Sequence, residues 1–346
     1  MYSDIDKSDM FKSIFDFPDH IKDSFIIGEN ISLNREYLDI KNIVIAGMGG
    51  SAIGGDVVRL LADHLIKIPL LISRNYNLPN WVNEDTLVIC SSYSGNTEET
   101  LSAFSQAQRK KAKIIAISTG GTLSEKIKDC NFDLISIPPG LQPRAAIAYS
   151  FIPLIFLLAK IEIIGSKIIG LIKNSIFEIE KIRERYSLES EENPTFNLAR
   201  TIYNTFPIIY AEDNTTSIVA TRWRGQLSEN SKMLSFGNSL PEMNHNEIVG
   251  WENNSEFLKN ISIIWLSDNE NYKRNLLRQV ESNKIISNLS RNEFFIKMDG
   301  KSKIERNLKL IHFGDWLSFW CAILHKTDPT PVLKIDQLKS KLSKSN

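Results

Sequence analysis

Residues 42 to 62 read NIVIAGMGGSAIGGDVVRLLA. An apolar run breaks into five glycines, Gly47, Gly49, Gly50, Gly54 and Gly55, and then into an amphipathic stretch. That order is a strand, a tight turn and a helix, with glycine where the backbone must come close to another group. A helix that opens on glycines offers backbone N–H groups to an anion. The stretch commits the chain to an α/β fold with a phosphate-type or nucleotide-type loop after an early strand.

The rhythm around it agrees. Residues 9 to 31 read as helical and lead into this strand. IPLLIS (68–73), TLVICSSY (86–93), AKIIAIST (112–119) and FDLISIP (132–138) follow as strands, separated by amphipathic segments of helical length. Continuous Val/Ile/Leu runs alternating with helices predict a parallel sheet covered on both faces. Residues 144 to 187 read as helical throughout and grow more charged up to Pro194. The pattern then restarts, with strands at 205–213, 262–268 and 293–298. Helices are expected over TTSIVATRWRGQLSENSK, 270–284 and LKLIHFGDWLSFWCAILHKT, followed by a Lys-rich helical tail. The expected division is an N-terminal domain over 1–155, a helical connection over 156–194 and a C-terminal domain over 195–346.

Charge bounds the partners. The chain carries 41 basic and 41 acidic residues and has no basic stripe, which argues against nucleic acid. Cys90, Cys130 and Cys321 share no metal-ligand spacing and read as free thiols in a reducing cytoplasm. His20, His64, His312 and His325 are scattered and pair with no acid at metal spacing. The N-terminus lacks the apolar core of a secretory signal. The run SFIPLIFLLAKIEIIG from Ser150 is broken by Pro153, Lys160 and Glu162, so it reads as a buried helix rather than a membrane span.

The glycine loop satisfies G-x-G-x-x-A at Gly47–Ala52, which suggests a dinucleotide fold. That reading needs an acid at the end of the second strand for the ribose hydroxyls, and LLISRNY offers Arg74 instead, a residue that could meet a 2′-phosphate. A Walker loop fails because no Gly-Lys-Ser/Thr follows. The third strand runs into Ser91-Ser92-Tyr93-Ser94-Gly95-Asn96-Thr97-Glu98-Glu99, a hydroxyl-rich turn opening a helix. Ser92, Ser94 and Thr97 with helix N–H groups make a small-anion cradle. Two such loops at neighbouring strand ends suit one phosphate monoester better than a long dinucleotide. An ordinary turn and N-cap role for Ser94 and Thr97 is the competing reading.

GMGGSAIGGD with SSYSGNTEET resembles a sugar isomerase (SIS) domain. Four further motifs, PPGLQPRAAIAYSF (138–151), RWRGQLSENSK (222–232), LPEMNHNEIVGW (240–251) and DPTPVLKIDQLK (328–339), are similar to those of the bifunctional phosphoglucose/phosphomannose isomerases of archaeal type. The resemblance covers residues 40 to 342. It implies two SIS-type doubly wound, flavodoxin-like domains, each a parallel sheet flanked by helices. It also implies interconversion of glucose 6-phosphate, mannose 6-phosphate and fructose 6-phosphate through a cis-enediol, with no metal and no cofactor.

The phosphate is then expected on Gly49, Gly50, Ser51, Ser92, Ser94 and Thr97. Glu229 is expected as the base and Arg144 opposite the developing enediolate. His245 is expected to open the sugar ring and to be contributed to the neighbouring subunit of a homodimer. Lys339 matches the family's helping lysine, and Thr330 is expected to line the pocket. Arg222, Gln226 and Glu229 fall on one helix face at i, i+4 and i+7. The rival function is a non-catalytic phosphosugar-binding regulatory SIS protein, which would need neither Glu229 nor His245.

Overall fold

The computed structural model describes residues 2–344. The chain forms two compact units, one over Asp16–Glu180 and one made of the residues up to Phe15 together with those from Lys181 onward.

In the first unit, β1 (Asn42–Ala46), β2 (Leu70–Ser73), β3 (Thr86–Ser91), β4 (Lys113–Ser118) and β5 (Asp133–Ser136) form one sheet in the order β2-β1-β3-β4-β5. Every pairing is parallel, with Ile43 opposite Leu87 and Ala46 opposite Cys90 in the central pair. β3 is buried at every position while β2 is only partly so, as expected of central and edge strands covered by helices. Val44, Val88, Cys90, Ile114 and Ala116 pack against Ala103, Phe104, Leu123 and Ile127 of the covering helices. The apolar run at 147–160 is one helix, Ile147–Lys160, buried along most of its length and packed on the helices Gly49–Ala62 and Phe17–Glu29. Among the described residues no helix is long and apolar enough to cross a membrane.

In the second unit, β6 (Phe206–Glu212), β7 (Phe236–Leu240), β8 (Ile261–Ser267) and β9 (Asn292–Lys297) form a parallel sheet in the order β7-β6-β8-β9. Tyr210, Trp265, Leu240, Met243 and Trp251 make one core layer. The helix Lys303–Leu324 packs on the helices Pro194–Ile202 and Ser217–Glu229. It is buried almost end to end, so its sequence reads as apolar and polar together with little amphipathic period.

Three features differ from the sequence reading. β7 is a strand that the pattern did not suggest, because FGNSL is a partly exposed edge strand with no apolar run. The stretch 144–187 is two helices, Ile147–Lys160 and Lys167–Tyr186, interrupted where Glu162 takes a positive φ of 61°. Residues 2–15, placed with the N-terminal domain on sequence grounds, pack with the second unit: Phe11 meets Trp316 at 5.0 Å and Phe319 at 5.6 Å between ring centroids.

The helix Lys303–Leu324 also buries His312. Trp316 Nε1 donates to His312 Nε2 at 3.1 Å, which requires that nitrogen to be unprotonated. Burial, helped by the charges of Arg183 and Arg222, pushes the imidazole down to about 3 from an ordinary 6.5. The unfolded chain protonates His312 as pH falls through about 6.5, whereas the folded chain resists until about 3. Stability is therefore lost progressively on acidification across that window. His312→Gln should flatten the fall in melting temperature between about pH 7 and about pH 5, read by circular dichroism.

Candidate functional site

In the first unit the expected phosphate residues gather at the carboxyl ends of β1 and β3. These strands are neighbours at the point where the sheet order reverses, which is where open α/β sheets bind ligands. Two glycines set the geometry. A Cβ on Gly47 would lie 2.7 Å from Ser91 O at the end of β3, and one on Gly50 would lie 2.5 Å from Pro143 O and 3.4 Å from Arg144 N. Only a residue without a side chain lets these three backbone segments touch. Gly49, exposed, and Gly50 open the helix Gly49–Ala62 ahead of the first helical bonds, which run from Ser51 N–H and Ala52 N–H to Met48 O.

The hydroxyls divide by role. Ser51, buried, accepts from Tyr93 N–H at 3.2 Å and so ties the glycine loop to the turn after β3. Thr97 occupies the N-cap position of the helix Glu98–Arg109, yet its side chain makes no cap bond. It pairs with Ser92 Oγ at 2.9 Å instead, which disfavours the simple capping role for this residue. Ser92 Oγ also accepts from Gly95 N–H at 3.1 Å. Ser94 is exposed and accepts from Asn96 N–H at 3.2 Å, an ordinary turn contact. Arg74 forms an ion pair with Asp56 of the helix Gly49–Ala62, so its charge is engaged within the fold.

Tyr93 is a connection that the sequence did not announce. Its hydroxyl donates to Pro138 O at 2.9 Å and accepts from Leu141 N–H at 3.0 Å, while its carbonyl accepts from Thr119 Oγ1 at 2.7 Å. It thereby pins the segment that runs on into Gln142, Pro143 and Arg144. Arg144 is 3% exposed. A tyrosine between two serines carries no local signal for such a role, because both partners lie more than forty residues away.

In the second unit the polar stripe on the helix Ser217–Glu229 splits. Arg222 Nη2 meets Asp315 Oδ2 at 2.8 Å and Gln226 Nε2 donates to Asp315 Oδ1 at 2.7 Å, all three buried. Burial pushes the Asp315 carboxyl above its ordinary range, against the pull of Arg222 and Gln226. Arg222 and Gln226 thus dock the helix Ser217–Glu229 on Lys303–Leu324, and Glu229 lies half-buried at the last position of that helix.

Beside it, Lys232 donates to Glu229 O at 2.8 Å and to Pro329 O at 2.9 Å, which brings the loop holding buried Thr330 to the end of that helix. His245 is exposed at the end of the short turn Glu242–His245 that follows the cis Leu240–Pro241 bond. Lys339 is exposed on the helix Leu333–Leu342, none of whose residues is buried. On the helical wheel Lys339 lies one turn from Ile335, just as Lys334 lies one turn from Leu338, so helix periodicity does not separate it from the neighbouring lysines.

Comparison with known proteins decides the family. Residues 36–158 match the SIS domain, and residues 191–342 match the bacterial phospho-glucose isomerase C-terminal SIS domain. A bifunctional phosphoglucose/phosphomannose isomerase of Caldicellulosiruptor bescii is 45% identical over 96% of this chain and 99% of its own. The chain belongs to the bifunctional phosphoglucose/phosphomannose isomerase family. Another member, from Aquifex aeolicus, is 35% identical over 90% of this chain and 93% of its own.

The fold is shared more widely. The C-terminal domain of a glucosamine-fructose-6-phosphate aminotransferase from Francisella tularensis superimposes with a TM-score of 0.73 at 15% identity, covering 93% of this chain and 98% of its own. The family membership agrees with the motifs read from the sequence, and the doubly wound topology is the one those motifs imply.

The split stripe yields a test. Removing one member of a buried ion pair leaves the other charge uncompensated, which costs about 3–5 kcal/mol. Arg222→Met in this family member should lose stability on that scale in urea denaturation, and Glu229→Gln should lose less than about 1 kcal/mol.

Proposed function

We propose that this protein interconverts glucose 6-phosphate, mannose 6-phosphate and fructose 6-phosphate without a metal or redox cofactor. The observation that carries the reading is the near full-length similarity to bifunctional phosphoglucose/phosphomannose isomerases. The hydroxyl cradle beside Arg144 supports it.

The two aldoses differ only in configuration at C2, so removing the C2 proton from either leads to the same cis-enediol. In this reading Ser51, Ser92, Ser94, Thr97 and the N–H groups of Gly49 and Gly50 hold the phosphate dianion. Thr97 suits the role because its hydroxyl is not spent on a helix cap. His245 passes a proton from the anomeric hydroxyl to the ring oxygen, opening the sugar. Glu229 takes the C2 proton as the electron pair moves into the C1–C2 double bond and the carbonyl π electrons move onto O1. The Arg144 guanidinium offsets that developing charge. Transfer of the C2-hydroxyl proton to O1, and return of the abstracted proton from Glu229 to C1 as the C2 carbonyl forms, yields the ketose.

Lys339 assists this acid–base chemistry from the C-terminal helix, and Thr330 lines the pocket where either C2 epimer is accepted. The exposure of His245 fits its contribution to a neighbouring subunit's site in a homodimer. Three free cysteines, two of them buried, fit a cytoplasmic protein.

The test is a coupled assay on EDTA-treated protein. Fructose 6-phosphate and mannose 6-phosphate should each yield glucose 6-phosphate, and failure on both refutes the activity. Glu229→Gln should lower kcat by about 10²-fold or more while phosphosugar binding persists; retained turnover means another group is the base. Thr97→Val removes one charge-assisted contact to phosphate, so KM should rise about tenfold with kcat within about threefold.

A further inference from the structure

Lys232 stands three residues beyond the helix that ends at Glu229, and its backbone has a φ of +57°. That left-handed conformation is the one glycine takes without strain, and it is the usual way to end a helix. A lysine there keeps a side chain at a steric cost. What the side chain does is specific. Its ammonium donates to four main-chain carbonyls: Glu229 O at 2.8 Å, Asn230 O at 3.2 Å, Asp328 O at 3.0 Å and Pro329 O at 2.9 Å.

The first two belong to the helix end, where carbonyls have no intrahelical partner and present negative potential. The other two belong to a loop almost a hundred residues further along the chain. Asp328 Oδ1 in turn accepts from Thr330 N–H at 3.0 Å, which fixes the loop beyond the contact. Three N–H bonds shared among four carbonyls use the full donor capacity of an ammonium.

We propose that Lys232 is a positioning residue for the isomerisation. It fastens the last turn of the helix, and so the Glu229 carboxylate, to the loop that carries Thr330. The inference rests on the reading of Glu229 as the base. Lys232 acts through the backbone of Glu229, and the phosphate cradle belongs to Ser92 and Thr97 in the other unit. Its loss therefore disturbs the orientation of the base more than the binding of the phosphosugar. Small misplacements of a catalytic group are costly in rate, so the signature is a fall in kcat at nearly constant KM.

The experiment assays Lys232→Met and Lys232→Gly on fructose 6-phosphate, beside wild type and Glu229→Gln, with thermal melting of each. Both Lys232 variants should lose at least about tenfold in kcat with KM within about twofold. Lys232→Gly should melt no lower than Lys232→Met, since glycine relieves the positive φ. Low kcat in a Lys232→Gly protein that is fully folded at the assay temperature is the decisive support. With Glu229→Gln inactive, wild-type kcat in either Lys232 variant overturns the inference. So does a loss that follows only the fraction of unfolded protein. Retained turnover in Glu229→Gln overturns the reading of Glu229 itself, and this inference with it.

Discussion

Contact of main chain with main chain at the carboxyl ends of β1 and β3 is the constraint on which the first unit depends. Parallel pairing alone sets Ala46 beside Cys90 and leaves the turns that follow free to diverge. Gly47 under Ser91 O and Gly50 under Pro143 O close that gap. A methyl group at either position would force the turns apart, and the Ser51 bond to Tyr93 N–H would go with them. Three segments far apart in sequence thereby present hydroxyls, helix N–H groups and the Arg144 backbone in one patch. Concentrated donors at a helix start, at the reversal of strand order, favour a small dianion.

The second unit is organised by a buried charge. Asp315 lies inside the contact of two helices and is satisfied by Arg222 and Gln226 together. Such a pair adds little net stability compared with apolar packing, because both charges lose their water. Its directional bonds do specify how the helix Ser217–Glu229 is rotated and how far it is slid along its neighbour. Trp223 Nε1 donating to Leu310 O at 2.8 Å reinforces the same register. Glu229 comes one turn after these anchors, where the helix ends and its carbonyls need outside partners.

Much of this was legible from the residues in order. Central strands buried on both faces must be continuous apolar runs, so β1, β3, β4, β6 and β8 announced themselves. β7 did not, since an edge strand made of Phe236, Gly237, Asn238, Ser239 and Leu240 has no pattern to display. The break between the helices at 147–160 and 167–186 was hidden because Ile161, Ile163 and Ile164 continue the apolar character through it. Residues 2–15 gave no sign of which unit they join, because Phe11 and Phe15 would suit any apolar face. The stripe Arg222, Gln226 and Glu229 was correctly placed on one helix face, but periodicity could not distinguish a face turned to a buried carboxylate from one turned to solvent.

By itself the sequence determined which chemistry was present and at what local spacing: glycines where the chain must turn tightly, hydroxyls beside a helix start, and an acid seven residues after an arginine. Those features act over one or two turns, so a linear reading captures them. The tertiary structure alone decided their partners. Thr97 is spared from capping because Ser92 lies against it across the turn, and Tyr93 becomes an anchor because Pro138 and Leu141 return to it. Ser51 serves the turn after β3 across 42 residues, and Lys232 reaches a loop 96 residues away. A hydrogen bond is specified by distance and direction in space, and chain order constrains neither once the segments are more than a few residues apart.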